Sequence, residues 1–157
     1  MNTNGCNTNW NFAASGLIIR DGKVLLVRHT YGNAKGRLLI PGGFCKIGEL
    51  PEEAAKRECF EETGIHASVI SLLAMRFSGK CWYPVFVMKY ESGEPVSDGC
   101  ENNEAIFMDI DEAINHADLT NMTRRCLQMY RQSGESALQH YPDYGVETGL
   151  SLYGTNI

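Results

Sequence analysis

The chain has 157 residues, 43% hydrophobic and 21% charged, with a formal net charge of −5, an ordinary balance for one folded domain with a real core and not for a disordered or fibrous chain. The acidic balance argues against a broad surface for long nucleic acid, yet leaves room for a small basic pocket that takes a single nucleotide. No apolar run reaches the length of a membrane span, and the polar, Asn-rich residues 1–11 lack the basic and apolar regions of a signal peptide.

The expectation is therefore one domain over residues 1–157, cytoplasmic, with no membrane partner. The six cysteines (6, 45, 59, 81, 100 and 126) show no C-x-x-C pair, so free thiols are the simpler reading, with a disulfide framework or zinc site as the alternative. In chain order, Ala13–Arg20 and Val24–His29 read as two antiparallel strands, joined at Asp21-Gly22 by a two-residue hairpin turn. Thr30–Arg37 reads as a loop, and Leu38–Ile40 as a short strand running into a tight turn at Pro41-Gly42-Gly43. Pro51 suits a first helical position and Gly64 the left-handed residue past a helix end, which predicts a helix over Pro51–Thr63. Ala67–Phe77 and Cys81–Tyr90 form a second hairpin through Ser78-Gly79-Lys80, and Glu91–Asn103 reads as a long loop. A last strand at Ala105–Met108, a short helix at Asp111–His116 and a longer one over Thr120–Ser133 follow, with Thr120 as N-cap. Leu119, Met122, Cys126, Met129 and Tyr130 lie at helical spacing and are expected to cover the sheet. The tail 134–157 has no periodicity, and packing along the domain, crossing to a partner in a homodimer and mobility all stay open.

On the helix over Pro51–Thr63, Glu58, Glu61 and Glu62 project within roughly a 100° arc. Glu52 precedes Lys56 by four residues and Glu53 precedes Arg57 by four, so the first half carries partnered acids, whereas the second half reads as unpartnered. Clustered carboxylates suit Mg²⁺ or Mn²⁺, which prefer oxygen ligands. A solvated acidic helix end is the other reading.

The whole stretch from Gly43 to Ile65 decides between them. Gly43, Glu49, Arg57, Glu58, Glu61, Glu62, Gly64 and Ile65, with Cys59 at an aliphatic position, match Gly-x5-Glu-x7-Arg-Glu-U-x-Glu-Glu-x-Gly-U, where U is a bulky aliphatic residue. This resembles the box of the Nudix hydrolases, and is far more specific than a lone glycine motif. The resemblance implies an α/β/α sandwich with a mixed β-sheet, which the order of strands and helices also suits. It implies a divalent-metal-dependent hydrolase that cleaves a pyrophosphate bond in a nucleoside diphosphate linked to another moiety, such as an ADP-sugar, a dinucleoside polyphosphate or a nucleoside triphosphate. Glu58, Glu61, Glu62 and the carbonyl of Gly43 would hold Mg²⁺ or Mn²⁺, and Glu49 would pair with Arg57. Leu50 stands where many members carry a Ser or Thr cap, which implies a slightly weaker helix start.

Family members often add a glutamate from the region before the last strand, as a metal ligand or base, and Glu104 matches that place better than Glu101; a solvated loop acid is the other reading. Arg28, Lys35 and Arg37 can bind phosphate oxygens, or be ordinary surface charges. Phe77, Trp82 and Tyr83 can stack a nucleobase, or pack a core. His29 can be a ligand or base, but a single His at a strand end reads first as structural. Some dinucleoside polyphosphate hydrolases of the family carry a Tyr a little past the box, as Tyr83 is here, while the Ser-Gln-Pro-Trp-Pro-Phe-Pro run of the NADH-cleaving branch is missing. The alternative to an enzyme is a nucleotide-sensing module that keeps the fold without turnover; an intact box favours the enzyme.

Overall fold

A computed structural model describes residues 10–135, 137–141 and 152–155. Its frame is a mixed sheet built on β1 (Asn11–Arg20), which runs parallel to β6 (Cys81–Ser92) along one edge. On its other edge β1 is shared by two antiparallel neighbours, β2 (Lys23–His29) at Ile19 and Arg20, and β4 (Gly42–Phe44) at Ala13 to Ser15. Outward from β2 lies β7 (Asn102–Asp109), while the short β3 (Leu38–Leu39) pairs with Val27 and Arg28 on the edge that β2 shares with β1; outward from β6 lie β5 (His66–Phe77), β8 (Leu138–His140) and β9 (Tyr153–Gly154).

The strands are apolar on both sides because both faces are covered, and adjacent residues enter different cores. Leu17, Val24 and Leu26 pack with Ala113, Leu119, Cys126 and Leu127 beneath α2 (Ile110–Asn115) and α3 (Asn121–Ser133). Ile18 and Leu25 pack instead with Ala54, Ala55, Cys59 and Ile65, beneath α1 (Pro51–Thr63). The result is the expected α/β/α sandwich.

Local chemistry accounts for the element ends. Asp21 (φ 51°) and Gly22 (φ 74°) are both left-handed, as a two-residue hairpin with primed-turn geometry demands. The α1 helix starts at Pro51 and ends at Gly64, whose φ of 72° suits a residue without Cβ. Leu50 has no side-chain oxygen to offer, but its own N–H donates to Glu53 Oε2 at 3.0 Å, half of a capping box. The Thr120 hydroxyl accepts from the Thr123 N–H and caps α3.

Three expectations change, and the described part of the tail is placed. Gly42–Phe44 is a strand paired with β1 rather than a tight turn; two glycines carry no period, so pairing here depended on a partner far along the chain. The long loop shrinks to residues 93–101, because β6 runs on to Ser92 and β7 begins at Asn102. Met129 is 43% exposed, and fully buried Leu127 faces the sheet in its place. In the tail, β8 pairs with β5, and β9 with β8, so that the Tyr153 ring lies 5.5 Å from Phe86 at the edge of the core beneath α1. The described cysteines 45, 59, 81, 100 and 126 are free thiols, and no described helix is long and apolar enough to cross a membrane.

Leu127 joins α3 to the sheet with no exposure, so Leu127→Ala is expected to lower unfolding free energy by about 2–5 kcal/mol, read from urea midpoints.

Candidate active site

The site is assembled where β4 lies against α1. Arg57, on the last half of α1, donates from Nε and Nη2 to the two carboxylate oxygens of Glu49 at 2.7 and 2.9 Å. Its Nη2 also reaches the carbonyl of Phe44 at 3.0 Å, and its Nη1 reaches Glu58 Oε1 at 2.6 Å and Glu61 Oε2 at 3.0 Å. Two acids of the second half of α1, Glu58 and Glu61, are therefore not unpartnered. Arg57 turns to them, and away from Glu53, because Glu49 in the preceding loop orients its guanidinium fork.

Gly43 stands directly over Glu58, where a Cβ would fall 2.5 Å from the carboxyl carbon, so only glycine lets the acid lie against the strand. Burial raises the Glu58 pKa, with Arg57 working the other way. Glu62 points inward and is 2% exposed; its Oε1 accepts the Gly42 N–H at 2.8 Å, while Oε2 is buried with no hydrogen-bond partner among the described residues. The Glu62 pKa is likewise raised by burial, opposed by His29 and the Gly42 N–H. His29 Nε2 lies 3.9 Å from that oxygen, too far for a hydrogen bond, and its ring stacks on Tyr31 at 5.2 Å.

The loop 93–101 brings a further carboxylate to this rim. Asp98 Oδ1 accepts the N–H groups of Cys100, Glu101 and Asn102, folding the loop end into a tight turn. Thr30 N–H donates to Glu101 O at 3.0 Å, and Tyr31 Oη to Glu101 Oε2 at 3.3 Å. The buried Asn102 amide donates to the Glu62 carbonyl at 2.9 Å, fastening the loop to α1.

Other sequence candidates lie elsewhere. Glu104 shares the face of Ile106 and Met108 beneath α2 and α3, where it accepts from Arg28 Nε at 2.7 Å. Arg28 is held further by Asp118 and the Gly36 carbonyl, and Glu104 raises its pKa. Arg37 donates to the carbonyls of Asp118 and Leu119. Tyr83 packs towards the core beneath α2 and α3 under Arg76, and burial raises its pKa to about 12. Trp82 packs with Trp10, Phe12 and Phe77. Tyr31 and Asn102 come to the site although the sequence did not single them out for it, and His29 comes to it although a His at a strand end reads first as structural; the signal for His29 was that it shares strand parity with Leu25, which faces α1. As placed, no three His, Cys, Asp or Glu side chains among the described residues converge on one ion position; Glu58 and Glu61 are turned to Arg57.

A sequence model of the NUDIX domain matches residues 10–130, and the chain belongs to that family. It is 38% identical over 104 residues to an ADP-ribose pyrophosphatase of Methanocaldococcus jannaschii, an alignment covering 62% of this chain and 61% of that protein. It is 33% identical over 101 residues to the NAD-capped RNA hydrolase NudC of Escherichia coli O1:K1 / APEC, covering 60% of this chain and 37% of the relative. The chain thus spans less than two thirds of the length of either. The crystal structure of a MutT NUDIX hydrolase from Burkholderia pseudomallei superposes with a TM-score of 0.68 at 27% identity, over 76% of this chain and 96% of that one.

The pairing with Arg57 holds the Glu49 carboxyl down at about 2, below its ordinary value near 4.5. A depressed acid contributes stability above its ordinary pKa and loses it as pH falls through the folded value. Between about pH 4.5 and 2 the thermal midpoint of the wild type should therefore fall more steeply than that of Glu49→Gln, followed by circular dichroism.

Proposed function

We propose that this chain is a divalent-metal-dependent pyrophosphohydrolase acting on a nucleoside diphosphate linked to another moiety. An ADP-sugar is the favoured substrate class, supported by the relative named ADP-ribose pyrophosphatase. The single observation that carries the reading is Glu62, a buried carboxylate with one oxygen unpartnered among the described residues, beside the Glu58 carboxylate lying against Gly43. A buried acid in that state costs free energy that a cation would recover.

The donor set fits the ion: Glu58, Glu61, Glu62 and the Gly43 carbonyl are all hard oxygen ligands, suited to Mg²⁺ or Mn²⁺. When bound, the ion supplies charge neutralisation on the phosphates and acidification of a water. Arg57 positions Glu58, Glu61 and the Phe44 carbonyl as one unit, fixing the loop before α1. Glu101 takes the role of proton acceptor, in the place for which Glu104 is the sequence's better match as metal ligand or base, because it sits on the rim with Tyr31 whereas Glu104 is bound to Arg28. A single domain acting in the cytoplasm on a small nucleotide completes the proposal.

Release of phosphate and nucleotide from a panel of nucleoside diphosphate derivatives, with Mg²⁺, Mn²⁺ or chelator, tests it. Chelator-sensitive cleavage is expected; metal-dependent binding of one compound without cleavage would overturn the enzyme in favour of a nucleotide sensor. Glu62→Gln should lower kcat by about a hundredfold or more with its circular dichroism unchanged. Glu101→Gln should lower kcat by about a hundredfold, while Glu104→Gln keeps activity near wild type; the reverse order would return the acceptor role to Glu104.

A further inference from the structure

Beside the carboxylates, between the start of β1 and the loop from β4 into α1, lies a cavity of about 490 Å³ bordered by Trp10, Phe12, Phe44 and Ile47, with Asn11, Lys46 and Glu49 as polar members. We propose that it holds the purine base of a nucleotide whose pyrophosphate lies at Gly43. The inference rests on the hydrolase reading for the pyrophosphate end and on the cavity for the base end.

Its volume is that of a small-molecule site, and its walls combine the Trp10, Phe12 and Phe44 rings with Ile47 and Pro51 and a few polar groups, a make-up that suits a flat ring. Phe44 is 64% exposed and Ile47 fully exposed, an apolar surface left open immediately after the glycine that accommodates Glu58. Of these rings, Trp10 and Phe12 are held in advance of any ligand. Trp10 packs edge-on to Trp82 at 4.3 Å, and Trp82 is backed by Phe12 at 6.0 Å and Phe77 at 5.3 Å. A preassembled wall of this kind loses little rotamer freedom when a base stacks on it. Trp82 is thus a support behind the cavity rather than a wall of it, and Tyr83, directed into the core on the other face, takes no part.

Continuity with the carboxylates selects a nucleotide over a peptide or a lipid. Glu49 borders the cavity on one side and binds Arg57 on the other, and the Phe44 carbonyl accepts from the same guanidinium that holds Glu58 and Glu61. Strand residues advance about 3.3 Å each, so Phe44 and Lys46 lie within the reach of one nucleoside diphosphate from Gly43. Lys46 can meet a phosphate oxygen, and Asn11 offers a donor and an acceptor to a ring edge. A bicyclic purine covers more of the aromatic wall than a pyrimidine and gains more from stacking.

Both tryptophans of the chain belong to this cluster, so intrinsic fluorescence reports on it directly. The full chain, with chelator present, would be titrated with AMP, UMP and ribose 5-phosphate. Saturable quenching by AMP at a concentration about tenfold below that needed for UMP, with none from ribose 5-phosphate, is expected. Phe44→Ala, and Phe44→Leu as a bulk-preserving check, should each weaken AMP about tenfold. Equal response to AMP and UMP, equal response to ribose 5-phosphate, no quenching, or unchanged affinity in both Phe44 variants would overturn the base site. If AMP binds as expected but no pyrophosphate derivative is cleaved, the base site stands and the hydrolase reading fails. If cleavage proceeds with unaltered KM in the Phe44 variants, the hydrolase reading stands and the base site falls.

Discussion

The site depends on the guanidinium of Arg57. One planar group of five donors engages Glu49 at both oxygens, the Phe44 carbonyl, and one oxygen each of Glu58 and Glu61. It thereby locks together three pieces: the loop ahead of α1, the end of β4, and the acidic face of α1. A lysine could not do this, since a point charge lacks the fork that grips one carboxylate while reaching two others. The same contacts explain how α1 tolerates acids one turn apart, which would repel each other along an isolated helix.

The sheet then sorts the ionisable groups. Side chains alternate along a strand, so neighbours in sequence serve opposite faces. His29 meets Glu62 and Tyr31 on the side of α1. Arg28, one residue earlier, joins Glu104 and Asp118 on the side of α2 and α3. Glu101 escapes this sorting because it lies in the loop before β7, whose turn around Asp98 aims it back at the rim. Two carboxylates three residues apart thus end in unrelated environments, one stitching strands together and one beside the acidic cluster.

Burial gives that cluster its chemistry. Glu58 and Glu62 are both taken from water and both have raised pKa values, each only partly offset by its hydrogen-bonding neighbours. Such acids are poised for a positive charge in a way that exposed ones are not. The aromatic wall at Phe12 and Phe44 lies on the other side of the Glu49–Arg57 pair. The acidic cluster and the apolar wall are therefore connected through one ion pair.

The sequence by itself determined what local chemistry controls. Pro51 and Gly64 bounded α1, Asp21-Gly22 set the first hairpin, Thr120 capped α3, and the spacing from Gly43 to Ile65 carried the family and the acidic face. Each is decided within a turn or a few residues of the chain. Pairings across long separations were decided only by the tertiary structure: β4 against β1, β8 against β5, and Arg57 choosing Glu49, Glu58 and Glu61 over Glu53. The same holds for Glu101 against Glu104, whose places depend on strand parity and on where β7 begins, and a shift of one residue reverses the face a side chain serves. The cavity of Trp10, Phe12 and Phe44 joins the chain's start to the loop before α1, and no local pattern records a contact made by bringing distant segments together.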